Sequence, residues 1–200
     1  MSTRPLRIAA LLSALVSALL VAACSTTGMS TTSATPPTAN ETNSRAQLER
    51  DARAALNQLY ASSPRARELR THATAILIFP GILKAGLLVG GSGGNGVLFS
   101  HDGRVLGYYN ASSVSYGLQA GAQQYSEAMF LMTHEATRYL DSSDGWSVGA
   151  GPSVVVADSG MGTDLSTTTA RSDVYAFIYG QEGLMAGLGV QGQKITRLSN

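Results

Sequence analysis

Apolar and polar residues fall into long blocks along this chain. After Arg4 and Arg7, the run from Ile8 to Ala23 contains no charge, and the stretch from Ser25 to Asn43 is dominated by Ser, Thr, Pro, Ala and Asn. A positive start followed by an apolar run reads as a signal peptide over residues 1–23. The run is too short, and its continuation too polar, for a bilayer-spanning helix of about 20 residues. The polar block, with Glu41 as its one charged residue, reads as a disordered tether. As a flexible coil it would span roughly 25 Å, enough to lift a domain clear of a surface or to let it lie down on one.

The pattern then turns helical. Ser44 with Gln47 makes a capping box, and Leu48, Ala52, Ala55, Leu56 and Leu59 fall on one face, with Arg45, Glu49, Arg53 and Asn57 away from it. Ser63-Pro64 signals a second helix, short and basic, through Arg65, Arg67 and Arg70. From Gly81 onward lie 21 of the 22 glycines, and the apolar runs become strand-like: Ala75–Phe79, Val97–Phe99, Arg104–Tyr109, Val154–Val156, Val174–Tyr179 and Leu184–Val190. A further short helix is expected near His134–Leu140. Glycines inside strands call for sharp bending or close backbone approach. The expected fold is α+β: amino-terminal helices packed on a Gly-rich, strongly curved or barrel-like antiparallel sheet. Residues 44–200 suffice for one domain.

Cys24 is the only cysteine, so it forms no internal disulfide. The ending Val21-Ala22-Ala23-Cys24 resembles the lipobox of bacterial lipoproteins, an apolar residue and two small ones before cysteine. That resemblance implies cleavage before Cys24 and a lipid carried on it, with two or more acyl chains giving a stable anchor. The expected location is the cell envelope. Ser25, in place of the aspartate that favours inner-membrane retention in enterobacteria, leans toward the outer membrane.

Without residues 1–23 the formal charge is −1, which gives no reason to expect nucleic-acid binding. The charge is uneven, however: residues 45–84 hold seven basic and three acidic side chains, while residues 85–200 hold five and nine.

Three motifs look catalytic and lack their context. Gly91–Gly96 has the spacing of a dinucleotide-binding loop but leads into Val97-Leu98-Phe99 rather than a helix, and reads as a turn between strands. Gly145-Trp146-Ser147-Val148-Gly149 has nucleophile-elbow spacing, yet Pro152 and Val154–Val156 follow where a helix should, so Ser147 reads as a strand residue. His134-Glu135 begins like a zinc-protease helix, but Arg138 holds the place of the second histidine. His72, His101 and His134 show no spacing of a triad or metal cluster. Neither enzyme activity, a cofactor nor a metal is expected.

Four stretches resemble the SYLF domain family in order and spacing: Pro80–Gly86; Gly107–Asn110 running on to Gly117–Gly121; Ser143–Trp146 continuing to Gly151–Ser153; and Arg171–Phe177 with Gly183–Leu188. The resemblance spans about residues 45–200. It implies lipid binding: eukaryotic relatives bind phosphoinositide membranes through an amphipathic helix at the start of the domain, and some bind actin filaments. In a bacterial envelope the corresponding partner would be anionic phospholipid, such as phosphatidylglycerol or cardiolipin. Arg65, Arg67, Arg70 and Lys84 are the candidate headgroup ligands, since guanidinium forks suit phosphate oxygens. A glycine-lined groove between helices and sheet is a rival lipid site. The alternative function is an interaction module holding an envelope protein or peptidoglycan, with Tyr108, Tyr109, Tyr116 and Trp146 as anchors or, equally in keeping with their type, as core residues.

Overall fold

Between Ser44 and Ser62 the chain has no glycine, proline or β-branched residue, so nothing opposes a helix there. The computed structural model describes residues 39–142, 145–147, 152–158 and 172–199. In it, helix α1 spans Ala39–Ser62. It starts ahead of Ser44, which therefore lies inside the helix rather than at its cap, and residues 39–43 extend the helix instead of the tether. Pro64 pushes the preceding Ser63 into an extended conformation (φ −120°, ψ 106°), which ends α1. The Ser63 hydroxyl accepts from the Ala66 amide at 3.2 Å and so caps α2, Pro64–Arg70. Contacts group residues 37–200 as one compact unit. Residues 1–38, with the expected signal peptide and Cys24, lie outside the described residues.

Strand β1 runs Ala75–Ser100 and β2 Val105–Leu131, 26 and 27 residues, several times the usual length. Helix α3, His134–Leu140, follows as expected. Then come β3 (Trp146–Ser147), β4 (Val154–Asp158) and β5 (Val174–Arg197). The order across the sheet is β1-β2-β5-β3, with β4 also on β5. All pairings are antiparallel except β4 with β5, which are parallel. The purely antiparallel sheet expected is corrected to that extent. Fifteen residues of sequence separate β4 from β5, enough for the crossover that a parallel pair needs.

The strands are long because they fold back on themselves. At Gly96 an added Cβ would stand 2.5 Å from Phe79 Cδ1 and 2.6 Å from the Ile78 carbonyl oxygen, and at Gly94 it would stand 2.6 Å from the Gly81 oxygen. Residues 94–96 thus lie against residues 78–82 of the same strand, and Gly86 meets Gly90 at the fold. Only glycine admits this approach. The Gly91–Gly96 segment is therefore strand interior, not the turn its composition suggested, and Ala75–Phe79 and Val97–Phe99 are two arms of one strand.

Alternation divides the side chains of the first arm between two cores. Ala75, Leu77 and Phe79 enter the sheet's interior with Met129, Trp146 and Ile195. Ile76 and Ile78 face outward and are covered by Ala52, Ala55 and Leu59 of α1 and by Ala66 and Leu69 of α2. Burial on both faces explains why this run reads as unbroken hydrophobicity. Leu59 and Leu69, 2% and 4% exposed, each stabilise the helix layer by roughly 2 kcal/mol.

Candidate functional site

Ala52, Ala55 and Leu59 of α1 are buried against the sheet, and Leu48, Leu56 and Tyr60 are partly buried beside them. The helix layer presents guanidinium groups outward. In α2, Arg67 and Arg70 are exposed and Arg65 is half-buried. Arg65 donates to Glu68 Oε2 at 2.8 Å, whereas neither Arg67 nor Arg70 has a carboxylate partner among the described residues.

The three arginines fan apart. Arg65 lines a cleft of about 590 Å³ with His72, Thr133 and Asp173. Arg70 lines a second cleft of about 340 Å³ between α1, α2 and the β1–β2 turn. Lys84 belongs to neither: it sits on β1 opposite Gln123, nine residues beyond the strand's start, a rise of roughly 30 Å in extended chain. The structure thus does not unite the four basic residues into one patch.

The second cleft gathers residues that the sequence did not single out. Arg53 lies over the Phe99 ring at 4.5 Å and donates to the Gly103 carbonyl at 3.1 Å. Arg70 lies over the Tyr60 ring at 5.1 Å. The Tyr60 hydroxyl is buried and finds no hydrogen-bond partner; burial pushes its pKa up to about 12, against the opposing pull of Arg70. It is therefore a neutral donor lacking an acceptor, and such buried groups ordinarily have one. His101 also lines the cleft, with Nδ1–H donating to the Ala73 carbonyl at 3.2 Å. The one lining carboxylate in the β-turn, Asp102, is held by Arg104 at 2.7 Å. The Ser100 hydroxyl and Arg104 keep its pKa below the ordinary value. Two guanidiniums at a small opening suit an anionic oxygen. Arg53, Asn57 and Tyr60 repeat at helical spacing, a signal in the sequence that the reading of Arg53 as a solvated residue passed over.

The aromatic residues divide. Tyr109 and Trp146 are fully buried, and the Tyr109 hydroxyl donates to Asp141 at 2.5 Å. Tyr108 is half-buried and donates to Glu49 at 2.6 Å. Tyr116 alone of the four is 75% exposed. Three of the four anchors of an interaction module are thereby placed in or against the core. Ser147 is a strand residue, as expected, and exposed; His134 is exposed at the start of α3.

A helix layer on one face of a glycine-folded sheet, with arginine-lined clefts on its outer side, defines a small α+β domain. Residues 112–200 match the family Ysc84, described as Las17-binding protein actin regulator, which bears out the SYLF resemblance over that part of the chain. The match takes in most of β2 and everything after it, and leaves α1, α2 and β1 outside. No curated protein matches the chain.

Proposed function

We propose that this protein is a membrane-anchored lipoprotein of the cell envelope, lipidated on Cys24, whose domain binds phospholipid through anionic headgroups and catalyses nothing. The observation that carries the reading is the cleft lined by Arg53 and Arg70 between α1, α2 and the β1–β2 turn. A phosphate oxygen would accept from a guanidinium fork there. Arg67 adds exposed charge beside it. The apolar side of the helices is spent on the core, so the contact they offer is electrostatic. Lipid binding is the property shared with the SYLF family. Among the described residues no helix is long and apolar enough to cross a membrane; in this reading the anchor is the lipid on Cys24.

The description of the matching family offers a second partner class, a Las17-like or actin-associated protein. The cleft chemistry favours phosphate, and the burial of Tyr109 and Trp146 leaves few aromatic anchors for a protein interface. The test is sedimentation of the full chain carrying Cys24→Ser with phosphatidylglycerol vesicles and with phosphatidylcholine vesicles. The ratio between the two cancels whatever the apolar amino-terminal run contributes. A ratio well above one that falls as salt is added supports the reading; a ratio of one at low salt refutes it.

A further inference from the structure

The outer face of the sheet does not end where the helices end. On β2, the even-numbered positions Phe130 and Ala128 lie under α1 and α2, and the same parity continues outward to Gln124, Ala122 and Ala120, all exposed. Their neighbours on this face are hydrophobic: Ala122 pairs with Ala85 on one side and Leu184 on the other, and Ala120 with Leu87. Leu83, Leu87 and Leu184 are 59%, 73% and 89% exposed. At the fold itself Leu88 takes a positive φ of 67°, and Leu88, Val89 and Tyr116 are also more than half exposed. A water-facing sheet alternates buried apolar with exposed polar residues; here, beyond the exposed Gln124–Glu182 pair at the near end, Ala85, Leu87, Ala120, Ala122 and Leu184 are the exposed positions. Beyond Lys84 and Glu182 at its near end, the sequence is uncharged from Ala85 to Ser100, from Val105 to Ser126 and from Gly183 to Gln193.

We infer that this uncovered face, from Leu83 and Leu184 to the fold at Leu88, is a bilayer-docking surface that seats its leucines at the boundary between headgroups and acyl chains. The inference rests on the lipid-binding reading and says which surface enters the lipid. Three observations favour a bilayer over a second copy of the chain. The face is convex, because the glycine approach at Gly86 and Gly90 closes the opposite side. It is narrow, roughly 10 Å between its outer strands, whereas a stable protein interface buries about 800 Å² on each partner. It continues the face that carries the arginine-bearing helices, which sets guanidinium beside leucine as a headgroup layer is set beside hydrocarbon. Tyr116 is of the type that settles at that boundary. Insertion stays shallow, since the backbone edge of β1 must keep its water.

The test uses the full chain carrying Cys24→Ser and Leu87→Cys, labelled at its single thiol with a polarity-sensitive fluorophore. Because the probe reports on residue 87 alone, the apolar amino-terminal run does not confuse it. On phosphatidylglycerol-containing vesicles the emission should shift to the blue and be quenched by brominated acyl chains. In a second variant, Leu87→Asp with Leu184→Asp in the Cys24→Ser chain should lower partitioning tenfold or more with unchanged circular dichroism, both positions being exposed. If the labelled protein binds these vesicles in preference to neutral ones while the probe stays in water, this face is the wrong one and the lipid reading stands. A probe shielded without vesicles, in a chain of doubled mass, would assign the face to self-association and overturn the inference. No preference for anionic vesicles, with the probe in water, sinks both.

Discussion

Gly96→Ala tests the fold-back on which the placement of every surface depends. The new methyl would stand 2.5 Å from Phe79 Cδ1 and 2.6 Å from the Ile78 carbonyl oxygen. Phe79 and Ile78 are fully buried, one in each core, so neither the ring nor the backbone has room to retreat. Overpacking of this kind costs about 1–3 kcal/mol. At about 2–4 °C per kcal/mol for a domain of this size, the melting temperature should fall by roughly 2–12 °C. Gly192→Ala supplies the control, because its added Cβ meets nothing within 4 Å. Removing a glycine's unfolded-state freedom there should leave stability unchanged or raise it by up to about 1 kcal/mol. Thermal unfolding followed by circular dichroism measures both. Equal melting temperatures for Gly96→Ala and the parent would mean that the two arms of β1 do not lie face to face.

Cys24→Ala should abolish incorporation of radiolabelled palmitate, and label remaining on the variant would contradict the lipid anchor. Ser147→Ala and His134→Ala should leave vesicle binding intact; hydrolysis of an ester or peptide substrate by the parent that a folded variant loses would overturn the non-catalytic reading. Glu127 is buried, and burial raises its pKa, opposed by the Gln193 amide that donates to it at 2.8 Å. A raised folded-state pKa contributes stability that is complete below the ordinary carboxylate range and lost as pH rises through the folded value. Glu127→Gln should therefore raise the urea midpoint at neutral pH, with the advantage shrinking as the medium is acidified; a midpoint lowered at neutral pH would show that the ionised form is the one the fold favours.

Helices α2 and α3 were legible in the sequence because their signals are local: Ser63-Pro64 for one, and the run His134–Leu140 for the other, which in the structure Thr133 caps by accepting from the Ala136 amide at 3.2 Å. The start of α1 was misjudged because the polar composition of residues 39–43 reads as tether. The strands were found as apolar runs but not as long continuous strands, since Gly91–Gly96 has the composition of a turn. What makes it strand interior is contact with Ile78 and Phe79, more than fifteen residues away, and no local pattern encodes that. The same limit applies to the cleft. Arg70 was identified from charge, but its partners Tyr60 and Arg53 come from the other helix and His101 from the hairpin turn, brought together only by packing. Lys84 shows the converse: close to the arginines in sequence, it is carried away from them by an extended strand. The SYLF motifs marked the β half of the chain, where the family match also falls.

The central claim, that the arginines of α2 hold the domain to anionic lipid, is tested most directly by Arg65→Gln, Arg67→Gln and Arg70→Gln together in the Cys24→Ser chain. Each basic residue near an anionic surface contributes about 1 kcal/mol. Arg67 and Arg70, without carboxylate partners among the described residues, should supply about 2 kcal/mol together, or about 30-fold in partitioning. Arg65, tied to Glu68 at 2.8 Å, should add less. Glutamine preserves helix propensity, and circular dichroism verifies the fold. The account predicts a loss of about 30-fold or more on phosphatidylglycerol vesicles at low salt, with binding to phosphatidylcholine unchanged. A folded triple variant that partitions onto phosphatidylglycerol as strongly as its parent would contradict it.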